Sequence, residues 1–201
     1  MKSSKALSLL AGSAAVVLAL MATGSASATV LTGSSGTVLE AGTAVSAAAE
    51  GTTILHPAIG DIECHGAELS GKVSAAGGST ETAKVSLEAV TFGECNATVA
   101  VLKPGTLEFH TKEANANNNG LLTWNGTELT TEFSGLHCIY GTKENNPVGT
   151  FTGSATTKSN ATLDIEAKFP RTGGRSGAFC GTEYQWTGAY KFTSPSVINV
   201  D

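Results

Sequence analysis

Residues 184–192 read Tyr184-Gln185-Trp186-Thr187-Gly188-Ala189-Tyr190-Lys191-Phe192, with large aromatic side chains at almost every second position and polar or small ones between them. A side-chain period of two belongs to a strand with one buried face, because a helix would scatter these rings around its axis. The same rhythm recurs upstream. Ala97, Val99 and Val101 alternate with Asn96, Thr98 and Ala100, and Leu107, Phe109 and Thr111 with Glu108, His110 and Lys112. Leu129, Thr131 and Phe133 alternate with Glu128, Thr130 and Glu132, and Ala161, Leu163, Ile165 and Ala167 with Thr162, Asp164 and Glu166. Residues 81–89 come nearest to a helical pattern, but Val85-Ser86-Leu87 and Thr91 favour a strand there as well.

Between these segments stand turn signals. Gly77-Gly78, Asn119-Gly120, Asn125-Gly126 and Gly173-Gly174 tolerate the positive φ of tight hairpins, and Pro104-Gly105 and Asn145-Asn146-Pro147 mark broader loops. The spacing predicts an all-β fold, a β-sandwich or jelly roll of about nine or ten antiparallel strands. Aromatic residues are 6% of the chain, so the core needs Tyr184, Trp186, Tyr190 and Phe192 more than a sugar-stacking platform does. Trp124, beside the Asn125-Gly126 turn, is the aromatic expected to be exposed.

Lys2 and Lys5 form a positive n-region, residues 6–22 are apolar and uncharged, and Ala26-Ser27-Ala28 supplies a small-x-small pattern. Residues 1–28 therefore read as a cleaved export signal, cut before Thr29. A retained anchor is the rival reading, but the apolar stretch is short for a bilayer span and a cleavage site follows it directly. No later run is apolar enough to span a membrane, and no cysteine follows the apolar stretch to accept a lipid. The mature chain is expected to be secreted, extracellular or associated with the cell surface. Residues 29–51, rich in Ala, Gly, Ser and Thr, read as a low-complexity arm or a first strand, and residues 52–201 as a single domain.

Removing 28 residues from 201 leaves 173, enough for one sizeable core. Losing Lys2 and Lys5 takes the net charge from −5 to −7. With no cluster of Lys or Arg, such a chain is a poor ligand for nucleic acid or an anionic membrane surface. Disorder is the competing reading of so polar a composition, and the regular recurrence of apolar residues beyond residue 52 argues against it.

Cys64, Cys95, Cys138 and Cys180 are an even set in a chain bearing an export signal, which points to two disulfides. Four cysteines allow three pairings; local closure and an apparent two-module layout favour Cys64–Cys95 with Cys138–Cys180. A zinc site needs short Cys/His spacings. His65 beside Cys64 and His137 beside Cys138 do not supply one, because adjacent strand residues point to opposite faces. No cofactor or metal set is expected.

A catalytic set is equally hard to find. There is no Gly-x-Ser-x-Gly elbow, and Asp is confined to Asp61, Asp164 and Asp201. His110 falls on the polar side of a strand and His56 precedes Pro57 in a loop, both as solvated imidazoles. Glu128 with Glu132, and Asp164 with Glu166, share strand faces as a glycosidase pair would, but solvated strands produce such pairs routinely. Calcium loops and phosphate-cradling glycine loops are absent from the sequence. Asn96, Asn125 and Asn160 open Asn-x-Ser/Thr sequons, which so Thr-rich a chain produces by chance.

Ile62-Glu63-Cys64, Gly71, Val90-Thr91-Phe92-Gly93-Glu94-Cys95 and Val101-Leu102-Lys103-Pro104-Gly105 form a recognisable series, followed by Leu136-His137-Cys138-Ile139-Tyr140, Gly149-Thr150-Phe151-Thr152-Gly153 and Trp186-Thr187-Gly188-Ala189-Tyr190. In these motifs the chain resembles a group of uncharacterised small exported proteins common in soil actinobacteria. More distantly, the Cys–Gly–Phe–Cys layout resembles exported proteins called activators of alkane oxidation. The resemblance implies an exported, disulfide-linked, all-β protein and supplies no catalytic residues. The expected function is a non-catalytic extracellular protein with a binding, adhesive or cell-envelope role, whose partner is a protein, a glycan or another copy of itself. The alternative is a secreted hydrolase acting on polysaccharide.

Overall fold

In the computed structural model the alternating segments close into a barrel. The structure describes residues 29–58, 60–111, 119–133, 135–174 and 179–201, so the export signal expected over residues 1–28 lies outside the described residues. The strands are β1 (Thr29–Thr32), β2 (Ala44–Ala49), β3 (Thr53–His56), β4 (Ile62–Ala75), β5 (Gly77–Gly78), β6 (Ala83–Cys95), β7 (Thr98–Lys103) and β8 (Thr106–Thr111). They continue with β9 (Asn119–Asn125), β10 (Glu128–Phe133), β11 (Leu136–Gly141), β12 (Asn146–Thr152), β13 (Thr162–Gly174), β14 (Glu183–Ser194) and β15 (Asn199–Val200). One helical turn, α1 (Ser154–Thr157), precedes β13.

The pairings are antiparallel and follow chain order around a ring: β4, β6, β8, β9, β12, β13, β14, and back to β4 through β2 and β3. β2 and β3 lie in one line, both paired to β14 on one side and to β4 on the other. The sheet is thus a closed eight-stranded barrel with extra strands. The sandwich or jelly roll expected from the sequence is corrected: two packed sheets leave free edges, whereas here β14 returns through β2 to β4 and closes the ring. The two cysteine-bounded segments are not separate modules: their strands belong to one wall, with β8 and β9 between them on one side and β14 with β2 and β3 on the other. Residues 29–51 contribute β1 and β2, so the division at residue 52 falls inside a single barrel position.

The barrel has two tiers. β4, β6, β13 and β14 run its full height, while β8, β9 and β12 stop halfway and are continued by β7, β10 and β11. β7 pairs with β10, β10 with β11, and β11 with the far end of β13 at Arg171, Gly173 and Gly174. Kinks separate the tiers. Gly105 has φ +76°, and a side chain there would collide with Thr127 Oγ1 and the Asn125 carbonyl. Pro104, with no N–H to offer a ladder, instead receives two bonds at its carbonyl: the Trp124 indole N–H at 2.8 Å and the Thr127 hydroxyl at 2.8 Å. The Thr127 N–H donates to Thr142 Oγ1, and the Thr142 N–H returns to the Thr127 carbonyl, both at 2.9 Å. Trp124 is therefore wholly buried, against the expectation of exposure, because Gly126 (φ +71°) bends the chain into the upper tier and the indole is capped from inside.

Eight strands make a barrel just wide enough for side chains to fill. Phe109, Phe151 and Phe192 meet edge to face in the lower tier. Above them Trp124, Phe169, Trp186 and Phe92 form a continuous aromatic cluster, in which Phe169 stacks on Trp186 and the other contacts are tilted or edge-on, and Tyr140 stacks on Tyr184 at 5.0 Å. The bottom is plugged by a small sheet in which β1 pairs with both β15 and β5. Leu31, Ile198 and Val200 of this plug are buried, and Val30 and Asp201 exchange both backbone hydrogen bonds at 2.9 and 3.0 Å.

Candidate functional site

Four kinds of residue carry the sequence-level expectations: cysteines, histidines, carboxylates and aromatics. The cysteines form two disulfides, Cys64–Cys95 and Cys138–Cys180, with sequence separations of 31 and 42. Both lie in the upper tier. The first joins directly opposed residues of β4 and β6. The second ties β11 to the approach to β14, where the Tyr140 hydroxyl donates to the Cys180 carbonyl. Each bridge restrains the unfolded chain by about 3–4 kcal/mol on loop entropy.

The four histidines are dispersed. His56 Nδ1 lies 2.7 Å from Asp61 Oδ1 on the surface, and His65 Nδ1 lies 3.1 Å from Thr52 Oγ1. His110 Nε2 is 3.0 Å from Thr123 Oγ1 and 3.8 Å from Glu108, and His137 Nε2 is 2.8 Å from Thr130 Oγ1. Among the described residues no three of His, Cys, Asp and Glu come together as a metal-ligand set.

The carboxylates stand on the outer wall. Glu128 pairs with Lys103 at 2.6 Å, and Glu132 is exposed on β10. Asp164 and Glu166 are exposed on β13, at the floor of an open trough of about 390 Å³ with Thr52, Thr150 and Thr187. A second depression of about 320 Å³ continues it past Gly149 and Glu166 to Asn146, Lys168 and Gln185. Glycines at 149 and 188 make the hollow by leaving the wall bare. The trough offers hydroxyl, amide and carboxylate groups in a shallow hollow open to solvent. A glycosidase acid requires a desolvated carboxyl facing a second one across a cleft, and both of these acids are open to solvent on the same strand.

The interior holds what the sequence pattern did not signal. Tyr184 and Trp186 were legible as core residues, but their polar atoms find no ordinary partner. The Tyr184 hydroxyl and the Thr131 hydroxyl, both fully buried, have no hydrogen-bond partner among the described residues. The Trp186 indole N–H makes no well-aligned hydrogen bond, but it stands close enough to the Tyr190 hydroxyl to favour the ionised phenol there. Tyr190 is held by Thr53 Oγ1 at 3.2 Å. Burial pushes the Tyr140 phenol up, the Tyr184 phenol well up, and the Tyr190 phenol up with partial relief from the Thr53 bond.

The wall beside this interior is interrupted. β6 pairs with β8 only over Ala83–Ser86, and the Leu87 N–H reaches the Gly105 carbonyl at 3.0 Å. Above that bond, among the described residues, no ladder joins β6 to β7 until the turn after Cys95. Leu87, Phe92, Val99 and Val101 pack against the core where the ladder is missing, and Leu102 is half exposed beside them. A search of family models, curated proteins and solved structures finds no match to the chain.

Proposed function

We propose that this chain is a secreted, non-catalytic extracellular protein with a binding, adhesive or cell-envelope structural role. The observation that carries the reading is the pairing of a filled, plugged and doubly cross-linked barrel with an outer wall on which Glu132, Asp164 and Glu166 are open to solvent. Two disulfides are compatible with an oxidising compartment. Among the described residues no helix is long and apolar enough to cross a membrane. The polar trough over β12, β13 and β14 supplies hydrogen-bonding groups to a surface partner, in keeping with a glycan or another protein.

The test is retention. The secreted protein is passed over cell-wall glycans and over immobilised extracellular proteins, with size exclusion run in parallel. Saturable retention weakened by Asp164→Asn with Thr187→Ala supports the reading. A strict monomer retained by nothing sinks it. The rival, a polysaccharide hydrolase, draws on the Asp164–Glu166 trough alone, and release of reducing ends abolished by Glu166→Gln would establish it instead.

A further inference from the structure

We infer that the two disulfides differ in reactivity: an external dithiol opens Cys64–Cys95 in the folded protein by attack on Cys95 Sγ, while Cys138–Cys180 stays closed. First, Cys64, Cys138 and Cys180 are fully buried, and Cys95 is the cysteine that is partly exposed, between exposed Glu94 and Asn96. Second, little backbone or side chain stands beside the first bridge. Cys95 is the last residue of β6, which beyond Ser86 pairs with β4 alone among the described residues. The next pair along that ladder is Gly66 opposite Gly93, and a side chain at Gly66 would meet only the Gly93 Cα, at 3.8 Å. Cys138 instead lies inside β11, opposite Thr131 of β10 on one side and Gly174 of β13 on the other. A position paired on both sides opens less readily than a strand end. Third, the opened pair stays in register. The Asn96 side chain accepts from the Glu63 N–H at 3.1 Å and donates to the Asp61 carbonyl at 3.3 Å, and the Asn96 N–H reaches the Glu63 carbonyl at 3.1 Å. Cys64 is thereby kept opposite Cys95 without the covalent bond.

That placement selects the reductant. A thiolate attacks Cys95 Sγ to form a mixed disulfide, and the S–S electron pair leaves on Cys64 Sγ, which takes up a proton. With a monothiol, Cys64 returns to Cys95 and expels it. With a dithiol, the second thiol attacks the sulfur bound to Cys95, and Cys95 leaves with the electron pair and the proton. The dithiol is oxidised by two electrons to a cyclic disulfide, and the protein holds two thiols.

The secreted protein is treated with dithiothreitol under native conditions, quenched with acid at intervals, and its free thiols are alkylated in denaturant and located by peptide mass. Cys64 and Cys95 should appear as thiols at least about tenfold faster than Cys138 and Cys180, with far-ultraviolet circular dichroism unchanged. Mercaptoethanol at equal thiol concentration should leave Cys64–Cys95 mostly closed. In Cys64→Ser, which lacks the resolving thiol, glutathione disulfide should leave a stable adduct on Cys95, whereas in Cys95→Ser the buried Cys64 should stay largely unmodified. Both bridges opening together, Cys138–Cys180 opening first, neither opening before the fold is lost, equal opening by monothiol and dithiol, or equal modification of the two single variants would each overturn the inference. If a single variant does not fold, the order of opening in the unaltered protein still decides. Retention on glycans or proteins is read separately and involves neither sulfur, so the proposed function and this exchange can fail independently.

Discussion

The lower and upper tiers of the barrel use the same kind of strand and are closed by different means. In the lower tier every neighbouring pair from β2 through β14 shares a ladder, and the ring is complete without a covalent link. In the upper tier the ladder fails between β6 and β7, and both disulfides lie there. One holds β6 to β4 on one side of the break, and the other holds β11 to the segment leading into β14. Cross-links thus occupy the tier whose hydrogen bonding cannot close it. The lesson is local: neither bridge spans the break, and each braces strands beside it.

Alkali gives the largest expected effect. All three tyrosines of the chain are buried, and burial raises each phenol above its ordinary value of 10.0. A raised folded-state value means that the unfolded chain ionises first, so the stability these groups confer is full below pH 10 and falls as pH rises beyond it. Tyrosinate absorbance should therefore appear only with cooperative unfolding. Two separate absorbance steps would show that the upper tier, with Tyr140 and Tyr184, opens on its own.

Replacing Cys138 and Cys180 together by Ser should cost about 3–4 kcal/mol in denaturant titrations. The comparison sharpens in hydrogen exchange, where amides of β7, β10 and β11 should lose protection while those of β8, β9 and β12 keep it. Uniform loss across both tiers would break the distinction. Leu31→Ala, in the noncovalent plug, should cost about 2–3 kcal/mol and leave exchange in the upper tier unchanged. The smallest effects form an opposed pair. Tyr140→Phe gives up a bond to the Cys180 carbonyl and should lose about 1 kcal/mol, whereas Tyr184→Phe removes an unpartnered hydroxyl and should gain up to about 1 kcal/mol. Equal destabilisation by both would contradict the hydrogen-bond assignment.

The strand content was legible because period two survives in the wall: Tyr184, Trp186, Tyr190 and Phe192 all face inward. Closure was not, since it depends on β14 meeting β2, a pairing between distant residues such as Phe192 and Ala47 that no local pattern encodes. β2 itself is masked by its composition, because Ala47 is small where bulky Phe109 and Phe192 fill the lumen beside it. Asn119-Gly120 reads as a turn and instead begins β9, where Gly120 lets the His110 carbonyl approach closely. Asn125-Gly126 does change the direction of the chain, but between tiers rather than into a hairpin. For the candidate site, Asp164 and Glu166 were visible as a strand-face pair, while the unpartnered hydroxyls of Thr131 and Tyr184 are a property of packing alone.

The plug joins β1 to β15, so the barrel floor is built from residues more than 160 positions apart in the chain, as the Thr32–Asp201 side-chain bond shows with its separation of 169. The Leu31 N–H also donates to the Ala76 carbonyl at 2.9 Å, so the floor is held on its β5 side as well as by β15. Among the strand ladders the one between β1 and β15 bridges the greatest sequence separation, so the entropy of closing the intervening loop weighs most on the floor.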